Sequence, residues 1–552
     1  MSNTEKPVQI KIDAASWKGK LAHNWNYIGY DECNYTHSPG GMELLKKFGQ
    51  LEKPYYVRAH HMLCTGNLHG QYKWGSTNVY TEDENGNPVY DFNLINKMCD
   101  IWLGYNCKPF FEIGFMLMDL ADIQLPRDSD SEPRKPNYND YRRKGWNCPP
   151  KDYDKWYDLI RTLIENLLNR YGQAELETWY FEMWNEPDIM YWSGTHEEFC
   201  KLYDYTEAAI HDACSSLRFG GPATCGPLSH DGKAANYLRD FLNHTKSGKN
   251  HKTGITGTRL DFTAFHTKGA GYSFTTKKEL EKTPSVKRLL NQVRIGAEII
   301  IECGYKDLEC VLSEADPDGW AAGGRFDNPA FQFRNTEYYA SYVASAYKNI
   351  FDMALELGMD IRPMAWAFMF EGERCFEGTR TFSTQGIEKP VFNTFRLYSK
   401  LGSQLVELKS ASAKNPEKFK DFWGTVEGAE IDGWATLTGT VSMEILLYCH
   451  EDTWENGSIY PVELIAENLP FPGPYKITHY RIDRDHSNAC TEWEHQGCPD
   501  WPRDSQYDAI KARANLELLE PVHVIPVLDG KLKLNFDMPV KSVSLIVVDR
   551  SN

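Results

Sequence analysis

The sequence predicts a parallel (β/α)8 barrel followed by a β-sandwich domain. Apolar strand-like runs alternate with helix-like segments from about residue 13 to residue 400, which is typical of a parallel barrel. From about residue 408 the pattern changes to short alternating strands separated by turn residues, as in a sandwich. The 552 residues suffice for both units, because a barrel with insertions takes about 250–400 residues.

Eight apolar runs are the candidate barrel strands. They are residues 25–30, 55–59, 109–115, 179–183, 217–221, 261–266, 308–313 and 364–369. Between the third and fourth runs, apolar residues recur at helical spacing from Trp156 to Tyr171 and predict an amphipathic helix. Thr195 and Glu198 form a capping-box pattern that predicts the start of the next helix.

We therefore assign residues 13–400 to the barrel and residues 408–552 to the sandwich. Residues 8–12 alternate between apolar and polar side chains, which is the pattern of a half-buried strand. On this pattern, residues 1–12 can add a strand to the sandwich. Residues 491–506 have the composition of a surface loop.

Composition excludes some classes of partner. The net charge of −17 and the pI near 5.5 argue against nucleic acid and anionic membranes, which require clustered Lys and Arg. The chain has no run long and apolar enough for a spanning helix, and no signal peptide is visible, so we expect a cytoplasmic protein unless a leader was removed. Its scattered cysteines fit a reducing compartment, and its aromatic surfaces are compatible with a homo-oligomer.

Two glutamates follow strand-like runs at the fourth and seventh barrel positions. Trp184-Asn185-Glu186-Pro187 comes directly after residues 179–183, and Glu314 ends the run that begins at Leu308. Strand ends of this kind form the catalytic face of a barrel. A glutamate there can protonate a leaving oxygen while the adjacent Asn185 holds a sugar hydroxyl, and a second carboxylate completes a glycosidase.

The same motifs carry a family resemblance that extends through most of the chain. The matching stretches are residues 74–83, 112–116, 181–188, 220–224, 385–393 and 395–397. With them the sequence resembles the retaining glycoside hydrolases of clan A and, within that clan, family 39, which includes β-xylosidases and α-L-iduronidase. The resemblance implies that Glu186 is the acid/base, that Glu314 is the nucleophile and that Asn185 donates to the sugar 2-hydroxyl.

Further pocket residues follow from strand position and from the resemblance. His60 ends the second strand and His266 the sixth, where the family places histidines that contact the sugar or the nucleophile. Trp366, at the end of the eighth strand, is expected to form an apolar floor under the sugar ring. The reaction needs no cofactor or metal, and His60 and His61 are adjacent on a strand, so they point to opposite faces and cannot share an ion.

The sequence departs from the xylosidase pattern at positions that line the outer hydroxyls of the sugar. Lys268 stands where an aromatic residue is usual, and the segment after the eighth strand contains Glu373 and Arg374 in place of adjacent glutamates. The stretch from Ser313 to Trp320 is more like the iduronidases, although its loop is one residue shorter. Lys268, Arg325 or Arg374 would then be candidates for binding a uronate carboxylate.

The sequence thus predicts a retaining, exo-acting hydrolase of plant-type oligosaccharides, with a β-xyloside or an α-L-arabinoside as the favoured substrate. An iduronidase-like uronide hydrolase, a non-catalytic sugar-binding barrel and an interaction protein built on the sandwich are the alternatives. In the favoured mechanism Glu314 attacks the anomeric carbon and Glu186 exchanges the proton. We expect burial and the charge of Glu314 to raise the pKa of Glu186.

Overall fold

The structure is a computed structural model that describes residues 6–63, 77–123, 145–270, 284–319, 323–367, 369–414, 428–454, 456–526 and 530–551. The strands are β1 (Val8–Lys20), β2 (Tyr27–Tyr30), β3 (Tyr55–Ala59), β4 (Tyr80–Glu82), β5 (Pro88–Tyr90), β6 (Cys107–Ile113), β7 (Tyr180–Met183), β8 (Phe219–Thr224), β9 (Phe262–Lys268), β10 (Glu309–Asp316), β11 (Ile361–Pro363), β12 (Ala365–Trp366), β13 (Ser383–Thr384), β14 (Ile387–Glu388), β15 (Gln404–Ser410), β16 (Glu430–Thr438), β17 (Ser442–His450), β18 (Ile459–Glu467), β19 (Tyr475–Ile482), β20 (Glu517–Leu518), β21 (His523–Ile525), β22 (Lys531–Pro539) and β23 (Ser542–Arg550). The helices are α1 (Pro39–Gly49), α2 (Asn93–Gly104), α3 (Tyr153–Tyr171), α4 (Gln173–Leu176), α5 (His196–Ala213), α6 (Lys233–Ser247), α7 (Val286–Glu302), α8 (Glu337–Leu357), α9 (Pro390–Tyr398), α10 (Ala489–His495) and α11 (Asp504–Ala512).

The predicted (β/α)8 barrel is confirmed. Its sheet runs β2-β3-β6-β7-β8-β9-β10-β11 with parallel pairing throughout. The eighth strand is interrupted at Met364, and its second half, β12, pairs with β2 and so closes the barrel. Each of the eight predicted runs overlaps a barrel strand, and the capping box of Thr195 and Glu198 begins α5 as expected.

The barrel strands are buried on both faces. Their inner faces hold a cluster dominated by aromatic rings: Tyr27, Phe110, Tyr180, Phe262, Ala264, Val311, Met364 and Trp366. Outside the barrel, α3 buries the apolar stripe that begins at Trp156. This packing leaves the strand ends as the place where polar side chains can gather.

The second domain is a ten-stranded mixed sheet in the order β20-β19-β23-β17-β16-β15-β1-β18-β22, with β21 beside β19. Strands distant in this order, such as β19 and β22, share one apolar core, because the sheet folds over itself into a sandwich. On its other face β17 packs against α8 of the barrel, and Lys348 pairs with Asp432 at 2.5 Å across that junction.

The N-terminal strand lies inside this second sheet. β1 pairs parallel with β18 and antiparallel with β15, and it continues to Lys20. Residues 13–20 therefore belong to the second sheet and not to the barrel, contrary to the boundary expected from the sequence. The irregular register between Asp13 and Trp17 explains the difference, because the alternation of side chains ends there while the pairing continues.

Residues 491–506 are not a loop, as their composition indicated. They contain most of α10 and the start of α11, and Trp493 and Ile510 of these helices are buried with Cys375 and Phe376. The pair of helices thus supports the loop that follows the eighth barrel strand. Among the described helices, none is long and apolar enough to cross a membrane.

Candidate active site

Both predicted glutamates lie at the C-terminal end of the barrel. Glu186 follows β7, and Glu314 lies near the end of β10. The backbone at Trp184 and Glu186 has φ values of 64° and 42°, in the left-handed region that non-glycine residues rarely adopt. The Glu186 N–H donates to Ala223 O at 2.8 Å, which holds this turn against β8. Strained backbone of this kind concentrates at functional sites.

His266, at the end of β9, lies between the two glutamates. Its Nδ1 is 2.9 Å from Glu186 Oε1 and 3.8 Å from Glu314 Oε1. Because both oxygens are close to the same nitrogen, they can be no further apart than the sum of these two distances. The imidazole is buried and therefore holds the two carboxyl groups in one pocket.

Glu314 is surrounded by cationic side chains. Lys268 Nζ lies 2.5 Å from Oε2, and Arg58, His60 and Arg380 approach the carboxylate at 3.4, 3.4 and 3.7 Å. Burial alone would raise the pKa of Glu314, but Lys268, His266, His60 and Arg380 outweigh it and bring this pKa well below 4.5. Glu314 is therefore ionised and suited to act as a nucleophile.

The expected rise in the pKa of Glu186 is wrong for this structure. Burial and the charge of Glu314 do act to raise it, as expected. The hydrogen bond from His266 and the charges of His266 and Lys268 act in the opposite direction, and the net result is a pKa below 4.5. The carboxyl group of Glu186 and the imidazole of His266 thus form a hydrogen-bonded pair.

Asn185 is oriented by a buried arginine. Arg58 Nη2 donates to Asn185 Oδ1 at 3.1 Å, which leaves the amide NH2 of Asn185 as the group that can donate to a ligand. Arg58 also pairs with Glu112 at 2.9 Å and Glu182 at 2.5 Å. These contacts join β3, β6 and β7 under the pocket.

His60 connects this network to the nucleophile. Its Nδ1 lies 2.6 Å from Glu112 Oε2, and its Nε2 lies 3.4 Å from Glu314 Oε1. Burial lowers the pKa of His60, but Glu112 and Glu314 overcome this and raise it to about 10. The imidazolium therefore remains charged at neutral pH and donates to both carboxylates.

Trp366 lies beneath the charged groups of the pocket. Its ring centroid is 5.4 Å from Arg380 Cζ, 5.7 Å from Arg58 Cζ and 6.0 Å from Lys268 Nζ. The ring is 1% exposed and packs over Gly29, where a Cβ would lie 2.3 Å from it. Trp366 therefore packs beneath Arg58, Lys268 and Arg380, and its contact with a sugar ring stays a prediction.

The structure does not bring Arg374 or Glu373 to Glu186 or Glu314. Arg374 lies over the Phe326 ring at 3.3 Å and pairs with Glu377 at 2.9 Å. Glu373 accepts a hydrogen bond from Thr379. Arg325 likewise lies over Trp493, outside the pocket.

Arg380 occupies the place that the sequence assigned to Arg374. It is 3% exposed and lies 3.4 Å from Asp316, which also accepts from Lys268 at 2.6 Å. Lys389 supports this loop by donating to Thr379 O at 3.2 Å and to Thr381 Oγ1 at 2.7 Å. Trp320 lies outside the described residues, and so do residues 74–76 of the first matching motif.

Arg58, Asp316 and Arg380 are the main pocket residues that the sequence analysis missed. A signal for Arg58 was present, because residues 58 and 60 lie on the same face of β3. Asp316 was also visible at the end of the strand that carries Glu314. Arg380 gave no such signal, since it lies in a loop whose sequence has no strand or helix period.

A parallel barrel with two buried glutamates at the ends of its fourth and seventh strands defines a glycoside hydrolase. The chain belongs to glycosyl hydrolases family 39, whose family model matches residues 8–524. This also confirms the resemblance noted in the sequence.

Known relatives act on different sugars. The β-xylosidase of Geobacillus stearothermophilus is 28% identical over 541 residues, covering 96% of this chain and 94% of that protein. The α-L-iduronidase of Mus musculus is 26% identical over 420 residues, covering 71% of this chain and 62% of that protein. Among solved structures, a monomeric β-xylosidase from Caulobacter crescentus CB15 has the same fold, with a TM-score of 0.75, 21% identity and coverage of 99% of this chain and 100% of that one.

Proposed function

We propose that the protein is a retaining, exo-acting glycoside hydrolase that removes a terminal sugar from plant-type oligosaccharides. The observation that carries this proposal is the shared contact of His266 Nδ1 with Glu186 at 2.9 Å and Glu314 at 3.8 Å. Because both oxygens contact the same nitrogen, their separation cannot exceed the sum of the two distances. This upper bound includes the roughly 5–5.5 Å found in retaining enzymes. It barely reaches the roughly 6.5–9.5 Å found in inverting ones.

In the first step the ionised Glu314 attacks the anomeric carbon, and Glu186 gives its proton to the leaving oxygen. The contact with His266 Nδ1 at 2.9 Å holds the Glu186 carboxyl group in place for this transfer. Asn185 donates to the sugar 2-hydroxyl as positive charge develops on the ring. In the second step Glu186 accepts a proton from water, and the water opens the ester on Glu314, so that the configuration is retained.

For the sugar we retain a β-xyloside or an α-L-arabinoside as the first candidate. The net charge of the pocket supports a neutral sugar, because Lys268 and Arg380 are already paired with Glu314 and Asp316. Because the carboxylates of Glu314 and Asp316 already neutralise these two cations, little positive charge remains to attract an anionic ligand.

A uronide is the second candidate, and the convergence of Lys268 and Arg380 on the pocket favours it. A uronate carboxylate beside these groups would form charge-assisted hydrogen bonds with both side chains. The presence of α-L-iduronidases among the relatives is consistent with this alternative.

The mechanism is tested with Glu186→Gln and Glu314→Gln on a panel of aryl glycosides that includes β-xyloside, α-L-arabinofuranoside, β-galactoside and iduronide. Both variants should lose most activity, and azide should accelerate Glu186→Gln on an activated leaving group, giving an azide of retained configuration. Glu309→Gln is the control, because Glu309 begins the strand that carries Glu314 but lies at its other end. Proton NMR of the first product should show retention, and an inverted product would remove the retaining mechanism and the assignment of Glu314 as nucleophile.

A further inference from the structure

A second cluster of reactive side chains lies between two helices on the outside of the barrel. His196, Cys200 and Asp204 are spaced four residues apart on α5, and Asp240 and His244 have the same spacing on α6. Residues four apart lie on the same face of a helix, so each helix presents one polar stripe. The stripes line a groove of about 340 Å³, and Asp204 lies buried beneath it.

Asp204 and His244 already point at one another. His244 Nε2 lies 3.0 and 3.1 Å from the two carboxylate oxygens of Asp204. Thr258 Oγ1 and the backbone N–H of His251 donate to the same carboxylate at 2.6 and 2.8 Å. Supporting hydrogen bonds of this kind fix the orientation of metal ligands in proteins.

His251 completes the cluster from the loop after α6. Its ring stacks on that of His244 with centroids 5.7 Å apart and an angle of 21° between the planes. One ligand atom from each of Asp204, His244 and His251 lies within 4.8 Å of the other two. Ligands about 2.0–2.2 Å from one zinc ion are about 3 Å apart, which is the separation already present between His244 and Asp204.

We propose that Asp204, His244 and His251 form a binding site for a divalent transition-metal ion of the zinc class. The ion takes the place of the hydrogen bond between His244 Nε2 and Asp204, so that these two groups become its ligands. Two imidazole nitrogens and one carboxylate oxygen are a ligand set that zinc accepts. Water from the groove occupies the fourth position.

The position of the cluster indicates a structural role for the ion. His244 lies in the last turn of α6, and His251 belongs to the loop that leads to β9, the strand of His266 and Lys268. A bound ion would therefore connect α5, α6 and this loop at the end of the barrel opposite the catalytic glutamates. Features at that end of a barrel serve stability and not catalysis.

The test uses the full-length protein, first treated with a chelator and then titrated with Zn²⁺ in a calorimeter. We expect one ion per chain, an affinity at least tenfold weaker in His251→Ala, and a rise in Tm with zinc that this variant loses. His251 is an exposed side chain, so its replacement is not expected to disturb folding. His230→Ala is the matched control, because His230 is also exposed but pairs with Glu298 away from the cluster.

A second variant, His244→Gln, tests the buried part of the site. Loss of binding in both His244→Gln and His251→Ala, with binding kept in His230→Ala, would support the site. Equal zinc affinity in all four proteins would overturn the proposal, as would the absence of any binding to the chelator-treated protein. Replacement of zinc by Co²⁺ gives a visible spectrum that should disappear in the same two variants.

Discussion

His266 lies beside both glutamates of the pocket and acts to lower the pKa of each. Its hydrogen bond lowers the pKa of Glu186, whereas burial and Glu314 act to raise it. A general acid must carry its proton, so activity falls as the pH rises through the pKa of that acid. In the proposed mechanism, the contact with His266 therefore sets the alkaline limit of activity.

Replacement of His266 by glutamine should move the alkaline limb of the kcat/KM profile to higher pH. The reason is that the variant removes the positive partner that lowers the pKa of Glu186, while burial and Glu314 still raise it. The measurement is the pH dependence of kcat/KM for an aryl glycoside in both proteins. A limb that stays in place or moves to lower pH would contradict the assignment of the proton to this pair.

Replacement of Lys268 and Arg380 can distinguish between the two proposed substrate classes, a neutral and a uronic sugar. We expect Lys268→Met and Arg380→Met to reduce kcat/KM on both kinds of glycoside, because both residues also hold Glu314 and Asp316. A uronide would lose in addition about 1.5–3 kcal/mol per charge-assisted hydrogen bond. Arg374→Met is the control, since Arg374 pairs with Glu377 outside the pocket. If kcat/KM fell only for the uronide, the uronide would replace the neutral pentoside as the favoured substrate.

The residues of the site could be predicted where the chemistry follows a strand directly. Glu186 and Glu314 end apolar runs, and the position of such a run in the barrel also fixes where its last residue points. Arg380 could not be predicted, because its loop is held in place by Lys389 and by the helices α10 and α11. These two helices are distant from Arg380 in the sequence, and they are too short to show a clear apolar period. The pKa of Glu186 required the distance to His266, which no spacing in the sequence contains.

Among the elements, the barrel strands were visible as apolar runs because parallel strands are buried on both faces. The full length of β1 was not visible in the sequence. Its apolar alternation ends near Asp13, and Trp17 is 71% exposed, yet hydrogen bonds to β15 continue to Lys20. Where the side chains on both faces of a strand are exposed to solvent, the sequence has no apolar pattern from which backbone pairing could be predicted.

β1 should contribute strongly to stability, because it pairs with a strand on each side. Ile12 is buried in the sandwich core, so Ile12→Ala should lower the free energy of unfolding by about 2–5 kcal/mol. Lys11→Ala, at the neighbouring exposed position, should change it by less than about 0.5 kcal/mol. Denaturant unfolding of both variants measures the free energy of unfolding. An equally small loss in Ile12→Ala and Lys11→Ala would mean that β1 contributes little to stability.

At the scale of the whole molecule, buried histidines couple stability to pH. Burial and the charge of Arg481 lower the pKa of His479 to about 3 from its ordinary value of 6.5. The unfolded chain therefore binds more protons than the folded one between these values, and stability falls as the pH drops below 6.5.

His479 alone should cost about 2 kcal/mol of stability at pH 5, relative to pH 7. His479→Gln should remove this part of the dependence, because glutamine does not titrate and can still bond to Ser544. The measurement is denaturant unfolding at both pH values for the variant and the unmodified protein. His495→Gln, at an exposed position of α10, is the control, and an identical pH dependence in all three proteins would exclude His479 as a source.

The place of β1 also determines the order in which the molecule can be completed during synthesis. This strand leaves the ribosome before the barrel strands, but its partners β15 and β18 follow only after the entire barrel. The apolar side chains of β1 therefore remain unpacked until β15 and β18 have been synthesised. A nascent chain interrupted before β18 would leave the edge of β1 that pairs with β18 open. This gives chaperones a defined segment to protect and makes premature termination a route to aggregation.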